Sequence, residues 1–217
     1  MNLDLFSTHV KENTVTTNIA AQAWHLADFA QEQGVQMRNL LNAIIEQAPF
    51  RHMTTPGGQV MSVKMTNCGE LGWVSDHLGY RYQSYDPLSD LPWPAMPDEF
   101  KCLARDAAMA VGFADFNPDS CLINLYQVGT RLSLHQDKDE LDMTQPIVSV
   151  SLGLPATFLF GGLERSSPQT RITLHHGDVV VWGGVSRLAY HGVLPLALGE
   201  HELYSQYRVN LTFRKAR

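Results

Sequence analysis

The chain has 217 residues, 44% of them hydrophobic, with 16 basic against 22 acidic side chains and a formal net charge of −6. That length and apolar fraction support one substantial core and a single domain over residues 1–217. The acidic balance excludes a whole-surface electrostatic clamp on nucleic acid, leaving only a local basic groove, and the longest apolar runs are too short to cross hydrocarbon, so no membrane association is expected.

Residues 1–20 are polar and mixed and read as a loosely held N-terminal segment. Residues 23–29 are ambiguous, because Trp24, Leu26 and Asp28 alternating against Ala23, Ala27 and Phe29 suit a short strand or a helix start. Residues 36–48 predict a helix: Met37, Leu40, Leu41, Ile44 and Ile45 form one apolar stripe, and Pro49 ends it. Residues 50–95 differ in character. Glycines and prolines are interspersed there with Trp73, Tyr80, Tyr82, Tyr85 and Trp93, which predicts short strands and long loops with partly uncovered aromatics. Residues 98–111 predict a second helix, entered through Pro97, with Phe100, Leu103, Ala104, Ala107, Ala108 and Val111 on its buried face and Gly112 past its end.

The rest reads as strands at 121–126, 131–134, 147–154, 157–160, 171–174, 178–182 and 207–213, joined by turns with Gly and Pro. Many short strands with turn signals predict a sandwich or jelly roll, with the two helices on one outer face. Cys68, Cys102 and Cys121 are odd in number and form no CxxC pair, which suits a reducing compartment and a cytoplasmic location. Nothing in the pattern demands more than a monomer.

His135 and Asp137 stand two apart, and in an extended chain residues i and i+2 face the same side. His191 lies at least four strands further on, and a jelly roll brings such distant strands together. Two imidazoles and one carboxylate make a metal face with positions left free for a cosubstrate and oxygen. Alternatively, His135 is a turn residue and His191 a satisfied core histidine. Zinc takes the same donors, but a hydrolase would then need a base such as Asp139 or Glu140, and the chain has no HExxH helix. His175 and His176 precede Gly177 and Asp178 and read as a turn.

The C-terminal strand has period two: Arg208, Asn210, Thr212 and Arg214 share one face, and Val209, Leu211 and Phe213 share the other, which packs on the sheet. Such a polar face ordinarily meets water. Two arginines flanking an asparagine also make a receptor for a small dicarboxylate, through paired charge-assisted hydrogen bonds. Asn124 and Tyr126 add an amide and a phenol. Beside a 2-His-1-carboxylate iron, the dicarboxylate that fits is 2-oxoglutarate. Trp182, in the run VVVW, reads as core, and Gly161-Gly162 and Gly183-Gly184 read as turns rather than phosphate cradles.

The stretches MSVKMTNCGELGW (61–73), CLINLYQVGTRLSLHQDKDE (121–140), PIVSVSLGLPATFLFGG (146–162), HGDVVVWGGVSRLAYHG (176–192) and RVNLTFR (208–214) carry a wider likeness. In kind and order they resemble the AlkB family of iron- and 2-oxoglutarate-dependent oxidative demethylases, above all its bacterial DNA-repair members. The resemblance implies a mainly β fold with flanking helices: a double-stranded β-helix (jelly roll) dioxygenase core over 115–214, with a nucleotide-recognition lid over 50–95. It implies His135, Asp137 and His191 as Fe(II) ligands. It implies Arg208 and Arg214 as partners of the two 2-oxoglutarate carboxylates, and Asn124, Tyr126 and Asn210 as hydrogen-bonding groups around that cosubstrate, with O2 as the second cosubstrate. Trp73 matches an aromatic that stacks on a damaged base, with His135 on the other face of that base. Tyr80 and Arg165 match lid and rim residues, and Asp139 matches an acid beside the base's exocyclic group. Residues 74–82 read as a loop.

By the same resemblance, the reaction is oxidative demethylation of N-alkylated bases of the 1-methyladenine and 3-methylcytosine type. It releases formaldehyde and succinate as direct reversal of DNA damage. The implied partner is alkylated single-stranded DNA, with duplex DNA and RNA as further candidates, and Arg51, Lys64, Arg81, Lys138 and Arg165 are candidates for a basic track along it. The rival readings are a related 2-oxoglutarate dioxygenase acting on RNA, protein or lipid, and a non-enzymatic nucleic-acid-binding module.

Overall fold

A computed structural model describes residues 15–217. The first described element is a strand, β1 (Thr16–Ala20), paired antiparallel with β2 (Ala23–Leu26). The expected loose segment 1–20 therefore ends in ordered structure: Thr16–Ala20 is an edge strand of the main sheet, while residues 1–14 lie outside the described residues. The ambiguous stretch 23–29 resolves as strand over Ala23–Leu26 and turn beyond it, because Ala23 and Leu26 are fully buried against the sheet, and pairing on both sides outweighs local propensity.

Helix α1 (Gly34–Gln47) follows a short 3-10 turn (Gln31–Gln33) and buries Met37, Leu41 and Ile44. Strands β3 (Arg51–Thr54) and β4 (Val60–Gly69) form a hairpin, and β5 (Gly72–Asp76) and β6 (Gly79–Gln83) form a second one. These strands correct two expectations. Residues 50–95 hold a ten-residue strand rather than only short ones, and residues 74–82 are a tight hairpin rather than a loop. The buried polar pair Thr66 and Asn67 hides β4 from a hydrophobicity reading. Thr66 donates to Ala48 O, while Asn67 bonds the Trp73 backbone through both ends of its amide.

Helix α2 (Asp98–Ala110) starts after Pro97 with Asp98 and Glu99 in its first turn, where the helix dipole favours acids. It buries Phe100, Leu103, Ala104, Ala107 and Ala108, as its periodicity predicts. The remaining strands are β7 (Ser120–Tyr126), β8 (Leu132–His135), β9 (Ile147–Gly153), β10 (Ala156–Phe160), β11 (Thr170–Leu174), β12 (Val179–Trp182), β13 (His191–Val193) and β14 (Arg208–Arg214).

Two antiparallel sheets face each other. The large one has the order β1-β2-β12-β9-β14-β7-β4-β3 and the small one β11-β10-β13-β8. This is the expected jelly roll, and its large sheet also recruits β1 to β4 from before residue 115. The period-two pattern sorts each central strand. Ile123, Val148, Val150, Val181, Val209, Leu211 and Phe213 pack with both helices in one core. Leu122, Tyr126, Ile147, Val180 and Trp182 point the other way, toward Phe158, Phe160, Leu174 and Val193 of the small sheet. Each fully buried apolar side chain of this size contributes about 1.5–3 kcal/mol. The apolar face of β14 therefore packs on the helices, and its polar face looks between the sheets, so all seven residues of the strand are buried. Among the described residues no helix is long and apolar enough to cross a membrane.

Candidate metal centre and cosubstrate pocket

His135 ends β8 and His191 opens β13, and the two residues are direct partners in the strand register. Their rings lie 4.3 Å apart between centroids. Asp137, just beyond β8, brings Oδ1 to 3.7 Å from His135 Nε2 and Oδ2 to 3.7 Å from His191 Nε2. One ligand atom from each residue lies within 4.8 Å of the others. The tautomers suit a metal. His135 Nδ1 donates to Ser133 O at 2.9 Å and His191 Nδ1 donates to Ala189 O at 3.0 Å, so both Nε2 lone pairs are free. Burial, then the neighbouring His135, lowers the His191 pKa to about 4, which keeps its imidazole neutral and able to ligate. Burial alone would raise the Asp137 carboxyl, but Arg214 and then the two imidazoles hold it well below the usual carboxylate range. Two imidazoles with an ionised carboxylate are a donor set for a divalent metal.

The close approach of β13 to β8 needs a glycine. A Cβ on Gly192 would stand 2.8 Å from Leu132 O and 3.2 Å from Leu134 N, both backbone atoms that cannot give way. Phe158 and Trp182 wall the His191 ring, the latter at 4.9 Å between centroids. Trp182 is core, as expected, and it also lines the cavity.

That cavity, of about 810 Å³, is lined by the three candidate ligands and by Asn124, Tyr126, Arg208, Asn210 and Arg214. Arg208 is buried over the Tyr126 ring, 4.9 Å from its centroid. Its Nη2 donates to Ser151 Oγ at 3.0 Å, while Nε and Nη1 have no partner. Burial lowers its pKa, the mark of a desolvated charge. Arg214 donates through Nε and Nη2 to Asp137 Oδ2 at 3.1 and 2.7 Å, and its Nη1 is unpartnered. Asn124 Oδ1 is also free. Asn210 differs: Nδ2 donates to Ser149 Oγ and Val150 O, and Oδ1 accepts from Thr212, so its amide is engaged by the sheet itself. Buried unpaired guanidinium N–H groups are costly, and a dicarboxylate entering this cavity would satisfy them.

The outer part of the cavity is made by the 50–95 segment. Trp73 on β5 and Tyr80 on β6 stack at 5.6 Å between centroids with a 13° interplanar angle, and the Trp73 indole donates to Asp139 Oδ2 at 2.8 Å. Tyr80 is 48% exposed, and its side chain forms part of the rim. Arg165, exposed, lies over the Tyr190 ring at 5.1 Å. All the residues expected at the site line this one cavity. The proposed basic track is shorter than expected. Arg51 is bound to Asp86 at 2.5 Å and Arg81 to Asp76 at 2.8 Å, so neither is a free cation. Lys64 lies on β4 and is absent from the cavity lining, where Arg131, Lys138 and Arg165 supply the exposed cations.

Three residues near the site play a part that the sequence does not mark. Arg187, Tyr82 and Glu140 form a buried polar cluster behind Asp137 and Arg214. Glu140, a candidate base only in the zinc-hydrolase reading, is held instead in an ion pair with the buried Arg187. No periodicity marks these positions, because each partner lies on a different element.

An oxygenase that works with iron and an oxo-dicarboxylic acid is the class this fold and cavity define, and residues 22–214 match the family described as the 2OG-Fe(II) oxygenase superfamily. The chain is 54% identical to the alpha-ketoglutarate-dependent dioxygenase AlkB of Salmonella typhimurium strain LT2 over 99% of this chain and 98% of that protein. It is 57% identical to AlkB of Escherichia coli strain K12 over 91% of this chain and 92% of that one. The solved structure of OsALKBH1 superposes with a TM-score of 0.79 at 27% identity, covering 93% of this chain and 100% of that one. The chain belongs to the 2OG-Fe(II) oxygenase superfamily and, within it, to the AlkB family of dioxygenases, so it takes Fe(II), 2-oxoglutarate and O2.

Proposed function

We propose that the protein removes alkyl groups from the ring nitrogens of nucleic-acid bases, with alkylated single-stranded DNA as its main substrate and duplex DNA and RNA as further ones. The bases are of the 1-methyladenine and 3-methylcytosine type. The observation that carries this reading is one cavity with buried arginines that keep unpartnered N–H groups at one part and a Trp73 platform at another, the His135–Asp137–His191 cluster lining it with them. The names of the relatives support it, since those proteins are AlkB dioxygenases.

In this reading His135, Asp137 and His191 hold the metal. Arg208 and Arg214 take the carboxylates of 2-oxoglutarate, helped by Asn124 and Tyr126, while Asn210 orients the strand from within. Bound Fe(II) with 2-oxoglutarate and O2 supplies the oxidation of a methyl C–H bond, which no side chain performs. The methyl carbon leaves as formaldehyde and the cosubstrate as succinate and carbon dioxide. Trp73, pinned by Asp139, offers a stacking face, and the Asp139 carboxylate attracts a cationic alkylated base. Tyr80 and Arg165 guide the base or its backbone at the rim. Residues 50–95 act as the lid. A base whose Watson–Crick edge is blocked is cheaper to extract, which favours damaged over normal bases. The three cysteines are unbridged, which supports a reducing compartment such as the cytoplasm, and we take the working unit to be a monomer.

The test is anaerobic loading with Fe(II) and 2-oxoglutarate, then air, with a methylated single-stranded oligonucleotide. Formaldehyde release with loss of one methyl mass is expected, and His135→Ala, Asp137→Ala and His191→Ala each abolish it. Trp73→Ala should weaken oligonucleotide use by roughly tenfold or more, in line with about 1–3 kcal/mol per stacked base, and leave 2-oxoglutarate binding intact. Succinate formation without formaldehyde from any methylated oligonucleotide overturns the nucleic-acid reading.

A further inference from the structure

Behind the cosubstrate arginine stands a carboxylate that joins three parts of the molecule. Glu140 Oε1 accepts from the Tyr82 hydroxyl at 2.6 Å and lies 3.3 Å from Arg214 Nε. Its Oε2 accepts from Arg187 Nη2 at 2.9 Å. Arg187 continues inward, donating through Nη1 to Asp137 O at 2.7 Å and through Nε to Gln145 O at 2.9 Å. Gln136, next to Asp137, donates to Leu188 O at 2.6 Å. The segment between His135 and Gln145 is therefore fastened to the loop before His191, and Glu140 and Arg187 are both buried, as is Arg214.

Tyr82 is the unusual member. It lies on β6, in the hairpin that also carries Trp73 and Tyr80. Burial pushes its phenol well above the ordinary value, so it stays protonated and donates. One oxygen, Glu140 Oε1, thus accepts from the β5–β6 hairpin and is ion-paired with the β14 arginine. Arg214 is also shared between Asp137 and Glu140 and keeps an unpartnered Nη1. A carboxylate ligand that draws Arg214 toward the cavity changes the charge felt at Oε1, and hence the bond that Oε1 accepts from Tyr82. Two sites linked through a shared group bias one another reciprocally.

We propose that the Tyr82–Glu140–Arg214 relay couples the β5–β6 hairpin to the 2-oxoglutarate site, with Tyr82 and Glu140 as positioning residues. Cosubstrate binding firms the hairpin before substrate arrives, and substrate on the hairpin firms the cosubstrate arginine. The inference rests on Arg214 as a cosubstrate ligand but not on the identity of the oxidised substrate.

The test compares the parent with Tyr82→Phe, which keeps the ring and deletes only the hydroxyl. Both are loaded with Mn(II), which binds without turnover, and hydrogen exchange over residues 72–83 is followed by mass spectrometry with and without 2-oxoglutarate. In the parent, 2-oxoglutarate should slow exchange of the hairpin by at least about five-fold, the lower end of ordinary coupling. In Tyr82→Phe the slowing should vanish and the calorimetric Kd for 2-oxoglutarate should rise by about the same factor, with the Mn(II) affinity as in the parent and thermal unfolding still a single cooperative transition. Equal slowing in the variant, or a parent hairpin indifferent to bound 2-oxoglutarate, overturns the coupling and leaves the cosubstrate assignment standing. A parent that fails to bind 2-oxoglutarate overturns both.

Discussion

Arg208 is the residue whose physical situation most directly implies a ligand. A fully buried guanidinium has five N–H groups to satisfy, and here Ser151 takes one while Nε and Nη1 have none. Such a group is costly to the cosubstrate-free protein, and in the proposed function its compensation comes on binding 2-oxoglutarate. Arg208→Met, which keeps the stem and removes the desolvated charge, should therefore do two opposite things. The ligand-free protein should gain roughly 1 kcal/mol, seen as a melting temperature higher by about 2–4 °C. Binding of 2-oxoglutarate, followed by calorimetry with Mn(II), should weaken by about a hundredfold, as expected for about 3 kcal/mol lost with a charged hydrogen-bond partner. A variant that melts lower and binds normally would make Arg208 a structural residue. Arg214 is unlike it, because Asp137 and Glu140 already neutralise it.

Among the elements, the pairing of β13 with β8 decides the geometry of the candidate metal centre. His191 and His135 face each other only because the strands approach as closely as Gly192 permits. Gly192→Ala places a methyl group against the Leu132 carbonyl and must push the strands apart, while the core between the large sheet and the helices is untouched. The variant should fold, with an unchanged far-UV circular dichroism spectrum, and should bind Mn(II) at least about ten-fold more weakly, the scale seen when groups that orient metal ligands are disturbed. Retained metal affinity would show that the centre tolerates a wider separation. The β5–β6 hairpin makes the contrasting case. Its Asp76–Arg81 pair is partly exposed and contributes little stability, so the hairpin depends on contacts such as Trp73 with Asp139 and Tyr82 with Glu140.

On the scale of the whole molecule, the net charge of −6 sets how a nucleic acid approaches. Arg51 and Arg81 are neutralised by acids, so the cations left at the cavity mouth are Arg131, Lys138 and Arg165, all exposed. Three phosphate contacts on a single strand give a slope of log affinity against log salt of about −2. Fluorescence anisotropy of a labelled methylated oligonucleotide across a salt series should show that shallow slope. A slope of about −5 or steeper would mean a phosphate track elsewhere on the surface. Affinity in this picture comes from the pocket, through stacking on Trp73 and attraction to Asp139, rather than from the backbone.

Much of this was legible in the order of residues. The alternation of β14 is written as Arg-Val-Asn-Leu-Thr-Phe-Arg, the spacing of His135 and Asp137 as two, and the stripes of both helices as turns of 3.6, because side-chain direction follows backbone period. Those patterns say which residues share a face but not what that face meets. Burial between two sheets, and not water, is what makes the polar face of β14 a candidate receptor, and only the packing of Val209, Leu211 and Phe213 on the helices places it there. The β5–β6 hairpin, the edge strand at Thr16–Ala20 and the Tyr82–Glu140–Arg187 cluster depend in the same way on pairing between residues far apart in the chain. Local propensity is silent about such contacts, since their free energy exists only once the distant partner is in place.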